Sequence, residues 1–260
     1  MRNANCEYEQ NRARIKLKIG FLTMCIFMNV TSLAVSQVVV DAHENSSQLN
    51  IEQRQFTKQN GNLVLKAQNQ MAEDNYEKAI PILETTLSSK ELNNYEQGVV
   101  YQLLGSSYYE INDYDKAIHA FEMAIQSGGL RKKEASTLRI NIAQLLIASD
   151  RFEQGALMLE DRHRQGGALR PSHIEMLWQA WSQAEQYDKA LPWAKKWFAA
   201  AKTKERKHYD LMNFLYHTLS MTDEQADILK QMINRWPEDK TLWEAWAAVL
   251  TNGGQVQEPF

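Results

Sequence analysis

The sequence predicts an all-α fold of stacked antiparallel helix pairs, about five pairs followed by an unpaired last helix, and three observations carry that reading. Within Val100 to Gly128, Leu104, Gly105 and Tyr108 share one helical face and Ala117, Phe121 and Ala124 share the next, with the polar turn Asn112-Asp113 between them. A small residue recurs near the start of each second helix, at Ala79, Ala117, Gly155, Ala190 and Ala226, with spacings of 38, 38, 35 and 36 residues. Composition favours helix: 260 residues hold only 5 Pro and 11 Gly, and many of these glycines sit between the proposed helices.

Taken in order, the chain opens with a segment unlike the rest. Arg12, Arg14, Lys16 and Lys18 precede an apolar run from Ile19 to Val30, and Ala34 and Ser36 supply small residues before Gln37. That is the plan of a signal peptide over residues 1–36. Apolar character resumes at Val38 to Val40, so an uncleaved membrane anchor is the alternative. Either version places the remainder outside the cytoplasm. Both cysteines, Cys6 and Cys25, fall in this leader, which leaves no thiol for a disulfide framework or a thiolate metal site. Residues 37–60 are polar and aperiodic and read as a flexible tether. The helical array then occupies 61–260.

Each helix pair has its own departures. The first keeps Ala67, Tyr76, Ala79 and Leu83. The third keeps Ala143, Phe152 and Leu159, while Gly155 is expected to weaken its helix by about 1 kcal/mol relative to alanine. A long loop, Arg162 to Pro171, follows it. In the fourth, Trp178 stands where a small residue is expected, which implies wider helix packing or a register slip. The fifth lacks the turn aromatic and ends at Trp236-Pro237. Leu242 to Leu250 reads as one more first helix and Asn252-Gly253-Gly254 as the turn out of it, with no partner helix before Phe260, so a truncated chain or a solvated end helix is expected.

On these residues the chain resembles the tetratricopeptide repeat family, whose pattern of Trp, Leu-Gly, Tyr, Ala, Phe, Ala and Pro spans about 34 residues. In the second pair Tyr101 takes the Trp position and Gly129 lies near the Pro position. The resemblance implies a right-handed superhelix and a binding surface on first-helix positions two, five, nine and twelve. Those positions nominate Gln102, Ser106 and Tyr109 on the second pair, Ile140 and Gln144 on the third, and Glu175 and Gln179 on the fourth. The family's best-known groove holds a C-terminal carboxylate with Lys and Asn at positions five and nine. Gln102, Ser106, Ile140 and Gln144 stand there instead, so that clamp is missing.

Catalytic and nucleic-acid functions find little support. The net charge is −3, and without the leader 24 Lys+Arg would face 30 Asp+Glu, so there is no basic excess for nucleic acid. None of the six His has the spacing of a metalloprotease helix, and no phosphate-binding or nucleophile-elbow motif occurs. No cofactor is implied. All seven Trp (178, 181, 193, 197, 236, 243, 246) lie in the C-terminal third, most at core positions.

A second resemblance covers about the last 75 residues. The runs YDKALPWAKKWFAAAK and RWPEDKTLWEAWAAVLTNGG are similar to periplasmic repeat proteins that accompany TonB-type energy transduction systems. That resemblance implies a non-catalytic periplasmic scaffold whose partners are the TonB/ExbB/ExbD complex or an outer-membrane receptor in iron or haem uptake. A scaffold for outer-membrane protein or peptidoglycan assembly is the alternative. Membrane contact is expected only through the leader.

Overall fold

The computed structural model describes residues 54–89 and 92–252. The expected leader, most of the expected tether and the Gly253-Gly254 turn lie outside the described residues. Among the described residues there are eleven helices and no strand: α1 (Lys58–Ala72), α2 (Tyr76–Leu87), α3 (Asn94–Glu110), α4 (Tyr114–Gln126), α5 (Lys132–Ala148), α6 (Phe152–Arg164), α7 (Pro171–Gln183), α8 (Tyr187–Ala200), α9 (Arg206–Thr218), α10 (Thr222–Arg235) and α11 (Lys240–Asn252). Each helix packs on the next, and α1 also touches α3. The result is five antiparallel pairs with α11 laid against α10, the arrangement expected from the sequence.

The five turns inside the pairs share one geometry. Asp74, Asn112, Asp150, Glu185 and Ser220 each adopt φ between 55° and 60°. The following N–H closes back on the end of the first helix, as from Asp113 to the Tyr108 carbonyl at 2.9 Å and from Gln186 to the Trp181 carbonyl at 2.9 Å. This is a Schellman closure made without glycine, which puts about 1–2 kcal/mol of left-handed strain on a non-glycine residue. Asp and Asn bear it best because their short polar side chains bond locally.

These turns fix the register. Five residues beyond each left-handed position stand Ala79, Ala117, Gly155, Ala190 and Gln225. The fifth pair is therefore read from Gln225, one residue before the Ala226 suggested by residue size. Seven residues ahead of each left-handed position stand Ala67, Gly105, Ala143, Trp178 and Asn213. In the fifth pair the two small residues are replaced by a polar couple, Gln225 Nε2 donating to Asn213 Oδ1 at 3.3 Å. Trp178 causes no slip: its turn is regular, and its ring tilts against Trp197 with centroids 5.3 Å apart.

Two glycines are held by close approach. A Cβ on Gly105 would lie 2.5 Å from the Phe121 ring, and Phe121 is wholly buried. A Cβ on Gly155 would lie 2.6 Å from Ile147 Cγ1 and 2.7 Å from the Ala143 carbonyl oxygen. At Gly155 alanine would force α5 and α6 apart, so the low helix propensity of glycine is outweighed by the contact it permits.

The N-termini of the first helices carry a recurrent cap. From α3 to α9 the capping side chain is the third helical residue, Glu96 in α3, Glu134 in α5, His173 in α7 and His208 in α9, whereas in α1 the Thr57 hydroxyl caps by accepting the Asn60 N–H at 3.3 Å. Glu96, fully buried, accepts from Asn93 N–H at 3.0 Å, from Thr57 N–H at 2.6 Å and from Asn60 Nδ2 at 3.3 Å, so one carboxylate caps its own helix and fastens α1 to α3. Arg54, inside the stretch expected as a tether, pairs with Glu134 at 3.0 Å, donates to the Gly129 carbonyl at 2.8 Å and lies over Tyr95 at 4.6 Å. The tether expectation therefore fails for residues 54–60, where α1 already begins at Lys58.

Candidate functional site

The candidate surface is the outward face of the first helices. Gln102 on α3 is exposed and Tyr109, two turns on, is half-buried and stacked on Tyr114 with centroids 6.0 Å apart. Burial, then the charge of Glu110, raises the Tyr109 hydroxyl above its ordinary pKa, so it stays a neutral donor. On α5, Gln144 is half-buried, and on α7 Glu175 and Gln179 are half-buried. None of the side-chain amides of Gln102, Gln144 and Gln179 has a hydrogen bond to another described residue. On α9 the corrected register puts Asp210, Phe214 and His217 at the corresponding positions.

Two nominated residues are turned inward. Ser106 is 5% exposed and its hydroxyl donates to the Gln102 carbonyl at 3.0 Å, one turn back on its own helix. Ile140 is 8% exposed and belongs to the hydrophobic cluster that extends to Val249. Both were placed by their position in the repeat, and burial removes them from the lining. Tyr108 is half-buried; its hydroxyl donates to Glu84 at 2.7 Å, and burial followed by that bond pushes it up to about 12.

The tryptophans sort into core and surface. Trp181 and Trp193 are buried, and their indole N–H groups both donate to the same Glu160 carboxylate oxygen at 2.8 Å, tying α6, α7 and α8 at one point. Trp197 stacks on His208 at 4.4 Å, and Trp236 packs edge-on to Tyr209. Trp243 is the outlier, 47% exposed, with its N–H donating to the Pro237 carbonyl at 2.9 Å. The expectation that most Trp lie in the core holds fully for Trp181 and Trp193, in part for the half-buried Trp178, Trp197, Trp236 and Trp246, and not for Trp243; sequence reasoning missed Glu160, because no spacing rule marks a carboxylate that bridges three helices.

His173 and His208 are caps. His173, 2% exposed, accepts the Arg170 N–H through Nδ1 at 3.3 Å, and its pKa is held down at about 4, first by burial and then by the charges of Arg170 and Arg162. His208 Nδ1 accepts the Glu205 N–H at 3.0 Å. Among the described residues no group of three or more His, Cys, Asp or Glu is placed to hold a metal ion, and no helix is long and apolar enough to cross a membrane. An open depression of about 560 Å³ lies off this face, at the turns of the second and third pairs, between Tyr114, Asp115 and Arg151.

The described helices thus form an α-solenoid of tetratricopeptide-repeat type, with an amide-rich face on its first helices. Several solved structures align with these helices. A double mutant of MamA (RS-1) superposes with a TM-score of 0.50 at 13% identity, over 71% of this chain and 99% of that one. A tetratricopeptide repeat protein from Parabacteroides merdae gives 0.48 at 16% identity, over 76% and 75%. YrrB, described as a repeat protein with an unusual peptide-binding site, gives 0.45 at 17% identity, over 78% and 98%. No protein-family model matches the sequence, and no curated protein matches it.

Proposed function

We propose that this chain is a non-catalytic scaffold that binds an extended protein segment along the first-helix face. One observation carries the reading: Gln102, Gln144 and Gln179 present side-chain amides from successive first helices with no partner among the described residues. An amide both donates and accepts, so such a row pairs with the backbone of an extended peptide without demanding charge, and Tyr109 adds an aromatic anchor at one end. The finer reading is a periplasmic accessory of a TonB-type system for iron or haem uptake, held near the membrane only by its leader. It is supported by the charged-then-apolar N-terminus and by the likeness of the last 75 or so residues to proteins of that group.

The test is crosslinking in the native envelope under iron limitation, with a photoreactive residue at position 144. Recovery of TonB, ExbB, ExbD or an outer-membrane receptor is the expected result. Recovery of outer-membrane or peptidoglycan assembly proteins alone would replace the transport reading by the biogenesis one. Replacing Gln102, Gln144 and Gln179 together by Ala should weaken capture by about tenfold or more at unchanged helicity. Unchanged capture would remove this face from the account.

A further inference from the structure

The two edges of the solenoid carry opposite charge. Turns within pairs lie along one edge, and there Glu73, Glu77, Glu110, Asp150, Asp188 and Glu224 are exposed without a salt bridge to another described residue. Loops between pairs lie along the other edge, with Lys58, Lys132, Lys133, Arg170, Lys202 and Lys240 exposed in the same way. Most charges of the minority sign are neutralised inside their own edge. On the acidic side Lys116 pairs with Asp113, Arg151 with Asp115 and Lys189 with Glu153. On the basic side Glu134 pairs with Arg131 and Arg54, Asp161 with Arg164 and Glu205 with Lys207. Lys78 and Glu238 are the exposed exceptions.

The second-helix acids have a local explanation, whereas Glu73, Glu110 and Asp150, at the C-terminal ends of first helices, and the first-helix cations of the basic edge do not. Every second helix has an acid in its first turn (Glu77, Asp115, Glu153, Asp188, and Asp223 with Glu224), where the helix dipole favours negative charge. The first helices lie the other way. Lys58 opens α1, Lys132 and Lys133 open α5, Arg206 and Lys207 open α9 and Lys240 opens α11, while α1, α7, α9 and α11 have no acid in the first turn. Cations at a helix N-terminus oppose the dipole, so helix stability does not account for them. They specify a surface.

We infer that the cationic edge docks the acidic edge of a second copy of this chain, side by side. Both rows follow the same repeat, so when two copies lie alongside, loop cations meet turn acids at most of the pairs; the loop between the first and second pairs carries no cation among the described residues. Such a contact is heterologous: each copy keeps one edge open, and association extends as a row. The first-helix face is separate from both edges and stays available in the assembly.

Charge reversals test this cleanly, since both sets suit their helices better than the native residues. Lys58→Glu, Lys132→Glu and Lys133→Glu reverse the basic edge at the N-terminal ends of α1 and α5; Glu73→Lys and Glu110→Lys reverse the acidic one, at the C-terminal ends of α1 and α3. Sedimentation velocity on the full chain should show concentration-dependent association at about 20 mM salt that is lost at about 0.5 M. Either reversal alone should weaken association about tenfold, and an equimolar mixture of the two variants should restore it. Native chain that stays monomeric at low salt, association indifferent to salt, or a mixture that fails to recover would each overturn the inference. Binding of monomers to anionic phospholipid vesicles or duplex DNA, abolished by the Lys→Glu set, would also overturn it and assign the cationic edge to that surface.

Discussion

Acidification should loosen the fourth pair through His173, and the size of the effect follows from its environment. In the folded chain its pKa is about 4, against about 6.5 for an unfolded histidine, because burial and the neighbouring Arg170 and Arg162 charges all disfavour the imidazolium. The unfolded chain therefore binds the proton first, and stability is complete above pH 6.5 and lost as pH falls towards 4. Linkage gives a loss of about 2 kcal/mol at pH 5 and about 3 kcal/mol at pH 4. The structural reason is that protonated Nδ1 cannot accept the Arg170 N–H that caps α7. The assay is urea unfolding at a series of pH values for the native chain and for His173→Gln, whose amide keeps an acceptor at the cap and does not titrate. Subtracting one profile from the other cancels the carboxylates common to both. A difference that stays flat between pH 7 and 5 would refute the reasoning, as would a His173 imidazole titrating near 6.5 by NMR.

Two further outcomes follow from packing. Gly105→Ala sets a Cβ 2.5 Å from a fully buried Phe121 ring and should destabilise the second pair by about 1–3 kcal/mol, read as a lower urea midpoint at unchanged slope. Trp178→Phe removes an indole N–H that is buried without a partner and should change stability by less than about 1 kcal/mol, whereas Trp181→Phe strips a bond from Glu160 and leaves a cavity, at about 2–4 kcal/mol. Equal losses in the two variants, by thermal or urea unfolding, would contradict the distinction.

Much of the fold is legible in the sequence because the repeat states it several times. Ala79, Ala117, Gly155 and Ala190 give the register directly, since close helix approach requires a small side chain. The fifth pair breaks the rule because Asn213 and Gln225 replace bulk exclusion by a hydrogen bond, and a search for small residues then settles on the neighbouring Ala226. The candidate face is half legible. Repeat position locates Gln102, Gln144 and Gln179, yet it cannot show that Ser106 turns back on its own helix or that Ile140 is drawn into the core, because both depend on how far adjacent pairs close over each other. The caps escape notice for another reason. Asn93 and Glu96 form a readable capping pair, but His173 and His208 do the same work with a residue type that pattern rules do not assign to it.

The placement of the seven tryptophans has a practical consequence for anyone following this chain as it unfolds. Every indole lies at or beyond residue 178, and Trp181 and Trp193 share one acceptor in the cluster running from Ile140 to Val249. The cluster from Val64 to Ala120 contains none. Tryptophan emission therefore reports on the C-terminal pairs alone, while circular dichroism reports on helix throughout the chain, including all eleven described helices. In a solenoid, where each unit is stabilised chiefly by its neighbours, the two signals need not move together. Any gap between them measures how far the two ends of the array melt as separate bodies.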